Sequence, residues 1–388
     1  MWSLKFVLFS VAVYFLNTLT YGNFNSSKII ARVTDYDSYR IPVGSSLMNI
    51  SPKIDDLSNI TFIVKWVEAS SRHGLWLGNE KMGSVVYRAA EDHYFNGPVL
   101  RDGGVYFTLN KETSFGGIFH YKNSKLKTII GNKDLKNTIS VSNICFSNKE
   151  MFFRSKTWDG QLLQSFNGTL KTLFSDQNGI SYFFGTSCSK SGVYFKGRVG
   201  KARQWGEDQP DVIFSYLNGS LEKQVEDQDA NSVSLYKSFQ NSVGSSVNNH
   251  LVFISTLLDG RKAVVLRDPI AGSDKVLVKE GEYNLKSIEY FRPSVNIHKT
   301  VVFRGIDTEG KRNIFAIKND KLISVLRESD LVKTDRENAI ILFRKKFPGI
   351  SGSPALNNKN EIVSHVLLTT KDGEEFLGEA VYLSKILD

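Results

Sequence analysis

The chain has 388 residues, and 49 Lys and Arg against 40 Asp and Glu give it a formal charge of +9. The basic excess is mild and spread along the sequence without a block of like charges, so it permits an acidic partner but calls for none, and no nucleic-acid motif occurs. Two cysteines, Cys145 and Cys188, are too few for a disulfide scaffold.

The first residues, MWSLKFVLFSVAVYFLNTLTYG, contain one positive charge (Lys5), an apolar run over 6–16, and small residues Thr20 and Gly22. This order predicts a secretory signal peptide over residues 1–22, because the apolar run is short for a membrane span. The mature chain, 23–388, is expected to be a single domain that is secreted, periplasmic or at the cell surface. No later stretch is apolar for long enough to cross a bilayer, so no span is expected after cleavage. Asn-x-Ser/Thr sequons occur at Asn25, Asn49, Asn59, Asn167 and Asn218 and matter only in a host that glycosylates.

Beyond the leader the sequence repeats itself. A short apolar strand centred on phenylalanine appears as ITFIVKW around Phe62, VYFTL around Phe107, MFFRS around Phe153, VYFKG around Phe195, LVFIS around Phe253 and VVFRG around Phe303. A second strand follows each (GLWLGN, GIFHYKN, LLQSFNG, VIFSYLNG, AVVLRD, IFAIKN), and then a third that ends in polar or acidic residues. A short Ser/Pro-x-aliphatic segment precedes each phenylalanine strand. β-Branched and aromatic runs broken by Asn-Gly at 167–168 and 218–219 are hairpin chemistry. The one stretch with helical composition, 328–339, lacks a continuous apolar stripe. An all-β protein of four-stranded units is predicted, and units of this length fit the blades of a propeller.

Six complete repeats precede residue 335. A seventh follows an insertion over 333–347, with SPALN, EIVSHVLLT and EAVYLSKI as its parts, and the chain then stops without a fourth strand. SKIIARVTDYD, residues 27–37, aligns with DKLISVLRESD, residues 320–330. The mature N-terminus is therefore expected to complete the last blade, which gives a seven-bladed β-propeller and leaves no unpaired edge.

The Ser/Pro entry, the V-x-F strand and the Asn-Gly-like turn resemble those of secreted bacterial β-propeller repeat proteins, many without assigned function, and more distantly TolB-type propellers. The resemblance covers about 27–388. It implies architecture and export and carries over no catalytic residue.

Gly349-Ile350-Ser351-Gly352-Ser353-Pro354 resembles the nucleophile loop of chymotrypsin-like serine proteases. The same stretch also falls in register with the strand-entry segments of other repeats, and no upstream histidine has the setting a catalytic base requires. Ser351 is read as a strand-entry residue. No metal-ligand spacing or phosphate loop is present, so neither metal nor cofactor is expected. Cys145 and Cys188 precede Phe153 and Phe195 by nearly equal distances, so they sit at equivalent places in consecutive repeats, and a blade-to-blade disulfide is expected. The excursion 197–211 displays Arg198, Lys201, Arg203 and Trp205, which suit a sugar or an acidic partner. Lys345 and Lys346 in the insertion are a second candidate.

The sequence thus points to an exported, monomeric binding or interaction module for a protein or carbohydrate ligand. The alternative is an exported hydrolase or lyase whose site is assembled at the channel mouth from dispersed residues.

Overall fold

In the computed structural model, which describes residues 27–34, 39–47, 51–66, 73–111, 114–176, 179–200, 210–344 and 347–386, the chain forms seven antiparallel sheets. Each is one blade, and they follow in chain order. Blade 4 is representative: Ile180–Cys188, Gly192–Val199, Asp211–Leu217 and Ser220–Glu226 pair in sequence from the axis outward. Blades 1 to 6 begin at residues 45, 94, 138, 180, 236 and 285.

Blade 7 is assembled from both ends of the chain. Glu361–Thr369 and Phe376–Lys385 form its middle, and Lys28–Arg32 pairs antiparallel with Phe376–Lys385 as the outermost strand. The register matches Lys28 with Leu383 and Arg32 with Ala380, with a shift between Ile29 and Ala31. That shift identifies Lys28–Arg32 as a true fourth strand. In the other six blades the third and fourth strands also slip once, at Leu75/Trp76, Thr128/Ile130, Leu163/Gln164, Ile213/Phe214, Val264/Val265 and Ile314/Phe315. A bulge at this point strengthens the local twist, which lets outer edges splay around a ring.

The segment 333–347 is not the insertion that the sequence suggested. Leu331–Lys333 and Asn338–Ile341 form a hairpin, and Asn338–Ile341 also pairs with Glu361–Thr369 beside Ile350–Leu356. It is therefore the start of the blade's own inner strand. Blades 5 and 6 split theirs as Tyr236–Phe239 with Gly244–Ser245 and as Leu285–Ile288 with Ser294–Val295, at the level of the register shift between Ser351 and Ala355 in blade 7. The break hides the strand from period-two reading, because neither half is long enough to alternate.

Among the described residues no blade has a core of its own. The buried apolar side chains form seven clusters, each drawn from two neighbouring blades. The second strands, such as Leu251–Leu257 and Val301–Asp307, are buried on both faces and read as continuous apolar runs. The exposed fourth strands, such as Ser273–Lys279, read as polar. Aromatic pairs cross from second to third strand, with Phe62 on Trp76 at 4.7 Å and Phe303 on Phe315 at 5.6 Å between centroids.

The position after the second-strand aromatic adds a polar tie to the next blade. Thr108 Oγ1 donates to the Val141 carbonyl, Arg154 Nη1 to Phe183, Lys196 Nζ to Phe239 and Arg304 Nη1 to Gly352. In blade 7 the place is taken by His365, whose Nε2 lies 3.4 Å from Glu379, and Glu379 accepts from Leu47 N and Ser46 Oγ of blade 1. Arg304 is nearly inaccessible, pairs with Glu289 at 2.6 Å and covers the Phe291 ring at 3.8 Å.

Removing one member of such a desolvated pair strands its partner. Arg304→Ala should lower the unfolding free energy in urea by about 3 kcal/mol or more. A loss under about 1 kcal/mol, the range of exposed pairs, would show that the tie contributes nothing to the ring.

Candidate functional site

The innermost strands of all blades face one axis, so a site on that axis takes one or two side chains from each repeat. Each inner strand is interrupted midway. Register shifts fall at Asn96/Val99, Ser142/Cys145 and Phe183/Thr186 in blades 2 to 4, and in the remaining blades the strand is in two pieces. Pro52, Pro98, Pro293 and Pro354 stand near this break. Having no N–H, proline cannot continue the ladder there. The recurring Ser/Pro-x-aliphatic segment is therefore the half of the inner strand that follows the break.

These halves enclose a cavity of about 570 Å³ lined by residues of all seven blades. Its rim, at the turns into the second strands, carries Asp56, Arg101 and Val247. The walls are stitched blade to blade. Cys145 and Cys188 form the expected disulfide, with Cα atoms 5.5 Å apart, and it joins blades 3 and 4. Ser245 Oγ donates to the Cys188 carbonyl at 2.8 Å, Ser294 Oγ to that of Pro354 at 3.0 Å, and Ser51 Oγ accepts from Ser353 N at 2.9 Å. Inner strands come close enough that a Cβ on Gly244 would lie 2.3 Å from the Pro293 carbonyl oxygen.

Two cations stand inside this ring. Lys53 and Arg292 both line the cavity, with only partial access to solvent. Burial, and then the positive charge of Arg292, push the Lys53 ammonium down to about 8, and burial pushes the Arg292 guanidinium down to about 10. No carboxylate contributes to either shift. Among the described residues neither side chain has an ion pair or hydrogen bond. The other charges of the lining are already engaged. Arg101 pairs with Asp102 at 3.3 Å, donates to the Asn148 carbonyl and lies over the Phe146 ring. Asp56 accepts from the Asn358 backbone at 2.8 Å and from its side-chain amide at 2.7 Å.

The residues singled out in the sequence lie elsewhere. Arg198 is on the second strand of blade 4, toward the opposite face, and its Nε is 3.0 Å from Asp211, which also holds buried Lys196 at 2.7 Å. Lys201, Arg203, Trp205, Lys345 and Lys346 lie outside the described residues. Ser351 is buried on Ile350–Leu356, directly across from His365. Serine and histidine are thus register partners on adjacent strands, with the Glu379 carboxylate 3.4 Å from His365 Nε2, a neighbourhood that sequence order alone did not suggest. His365 is fully buried, and both of its ring nitrogens lack a hydrogen-bond partner. Among the described residues there is no group of three or more His, Cys, Asp or Glu placed to hold a metal, and no helix long and apolar enough to cross a membrane.

No protein-family model and no curated protein matches the sequence. Solved structures do match in shape. The β-propeller domain of the Trilobed protease from Pyrococcus furiosus superposes with a TM-score of 0.54 at 12% identity, covering 87% of this chain and 96% of that one. Pyrococcus horikoshii acylaminoacyl peptidase gives 0.54 at 11% identity over 88% of this chain and 53% of its own, and a puromycin hydrolase gives 0.54 at 7% over 86% and 51%. The chain spans about half the length of these two enzymes. The likeness establishes a seven-bladed propeller with structural neighbours among the propellers of peptidases.

Lys53 carries a testable sign. Below about 8 it is protonated in folded and unfolded chains alike, and its burial penalty is fully present. Between about 8 and its ordinary 10.5 the folded chain releases the proton first, so stability rises with pH. Arg292, Arg101 and Asp56 are the other charges of the lining and are common to wild type and variant. Lys53→Met should therefore be more stable than wild type in urea at pH 7, with the gap closing toward pH 10. A gap that is absent or independent of pH would mean that Lys53 is solvated.

Proposed function

We propose that the chain is an exported seven-bladed propeller that works as a binding module, with its ligand seated at the mouth of the central channel. One observation carries this reading: every blade contributes to the cavity, and two of its cations have no counter-charge among the described residues. A folding scaffold gains nothing from such charges, whereas a ligand site does. Export is supported by the leader-like residues 1–22 and by a disulfide, which persists in oxidising compartments. The excursion with Arg198, Lys201, Arg203 and Trp205 is proposed as a second contact surface for a protein or carbohydrate partner.

The second reading, a hydrolase, has one specific observation in its favour, the cross-strand pairing of Ser351 with His365, whose Nε2 lies 3.4 Å from Glu379. Burial argues against it, because a substrate carbonyl must reach both serine and base. The structural neighbours include hydrolases, but their likeness to this chain is one of fold, and fold does not carry chemistry.

Glycan and peptide arrays probed with the mature chain test the first reading. The expected result is saturable binding, weakened at least tenfold by Val247→Trp, which fills the mouth from an exposed rim position. Trp205→Ala in the same assay reports on the loop, and the N-terminal residue of the exported protein should be Asn23. Labelling by a fluorophosphonate that disappears in Ser351→Ala, with no array binding, would overturn the module in favour of the enzyme.

A further inference from the structure

The channel resolves into groups that are occupied and groups that are not. Its hydroxyls are committed to neighbouring strands: Ser245 and Ser294 donate to carbonyls, and Ser353 Oγ accepts from the Arg292 backbone N–H at 3.2 Å. Its rim charges, Arg101 and Asp56, are paired. Only the ammonium of Lys53 and the guanidinium of Arg292 lack a partner among the described residues. They come from blades 1 and 6, on either side of blade 7, and are close enough for Arg292 to act on Lys53. Around them the wall mixes polar and apolar surface, with Ile54, Ile144 and Val295 among its apolar side chains.

Two like charges held close together in a channel repel each other and lose part of their hydration. Both penalties vanish when a group of opposite charge enters between them. The geometry also selects the type of group. A guanidinium presents paired donors that fit two oxygens of one planar or tetrahedral anion, and an ammonium adds a compact third contact. Halides offer no such fork, and a neutral sugar leaves both charges uncompensated.

We propose that Lys53 and Arg292 form an oxyanion seat in the channel, which takes the carboxylate or phosphoryl group of the ligand. The assignment rests on the reading of the channel as a ligand site and specifies its chemistry. A ligand of this kind enters anionic end first past Val247 and Arg101 and leaves its remainder at the rim. The disulfide and the serine stitches hold the seat's walls before the ligand arrives, so little ordering is lost on binding.

The test uses the mature chain with inorganic phosphate and with citrate as separate probes, at constant ionic strength maintained with sodium chloride. Thermal unfolding midpoints and calorimetric titration are read for wild type, Lys53→Met, Arg292→Met and Lys127→Met. Lys127, exposed on the outer edge of blade 2, is the control for general charge. Saturable binding of at least one probe is expected in wild type and Lys127→Met, with affinity reduced at least tenfold in each channel variant. Preference for citrate identifies a carboxylate ligand, and preference for phosphate a phosphoryl one. The channel variants should unfold no earlier than wild type without probe, so that lost binding is not lost folding. Absence of saturable binding, or equal binding in all four proteins, overturns the seat. An array ligand that is neutral, is lost in Val247→Trp and survives Lys53→Met would overturn the seat while leaving the binding module standing.

Discussion

Each sheet in this protein has two apolar faces and can bury them only against the sheets on either side. All seven apolar clusters lie between blades, so stability is shared among seven interfaces and an open ring would expose two of them. The strand Lys28–Arg32 bears the closure. Ile30 and Ala31 enter the cluster shared by blades 7 and 1, and the strand supplies the hydrogen-bonded edge that Phe376–Lys385 would otherwise present to solvent. Arg32 extends the closure beyond its own sheet edge, to Asp335 at 3.5 Å and Glu337 at 3.3 Å in the hairpin before Ile350–Leu356.

Ring closure also gives the axis its character. Inner strands cannot run straight along a narrow channel at the density of a sheet, and each breaks near its middle. Prolines mark four of the breaks, and the halves that follow them make the cavity walls. The polar groups of those walls are used twice over, as stitches between neighbouring blades and as the shape of the seat. Lys53 and Arg292 are exceptions to this consistency, and locally inconsistent groups are where function concentrates.

Much of the fold was legible in the sequence because hairpin strands are local. The phenylalanine strands, their Asn-Gly turns and the likeness of 27–37 to 320–330 are patterns of adjacent residues, and the structure repeats them down to the bulge between third and fourth strands. The disulfide was legible for the same reason, since equivalent positions in successive repeats become neighbours on the axis. The start of the inner strand in blade 7 was not, because Asn338–Ile341 is too short to alternate and is separated in sequence from Ile350–Leu356. The channel seat was illegible for a deeper reason. Lys53 and Arg292 are 239 positions apart, and although each abuts a proline of the recurring entry segment, Pro52 or Pro293, the sequence does not show that the two face one channel. Their importance comes from the absence of partners among the described residues, which only the closed ring reveals. The alignment of Ser351 with His365 was likewise invisible, because cross-strand pairing depends on register and not on order.

Amide hydrogen exchange of the mature chain, resolved by peptide, tests the closed ring most directly. Peptides covering 28–32 should be protected to the same degree as the fourth strand of blade 6, Lys321–Arg327, and should lose protection together with Phe376–Lys385. Exchange of 28–32 at the rate of a free peptide, with Phe376–Lys385 still protected, would contradict the account.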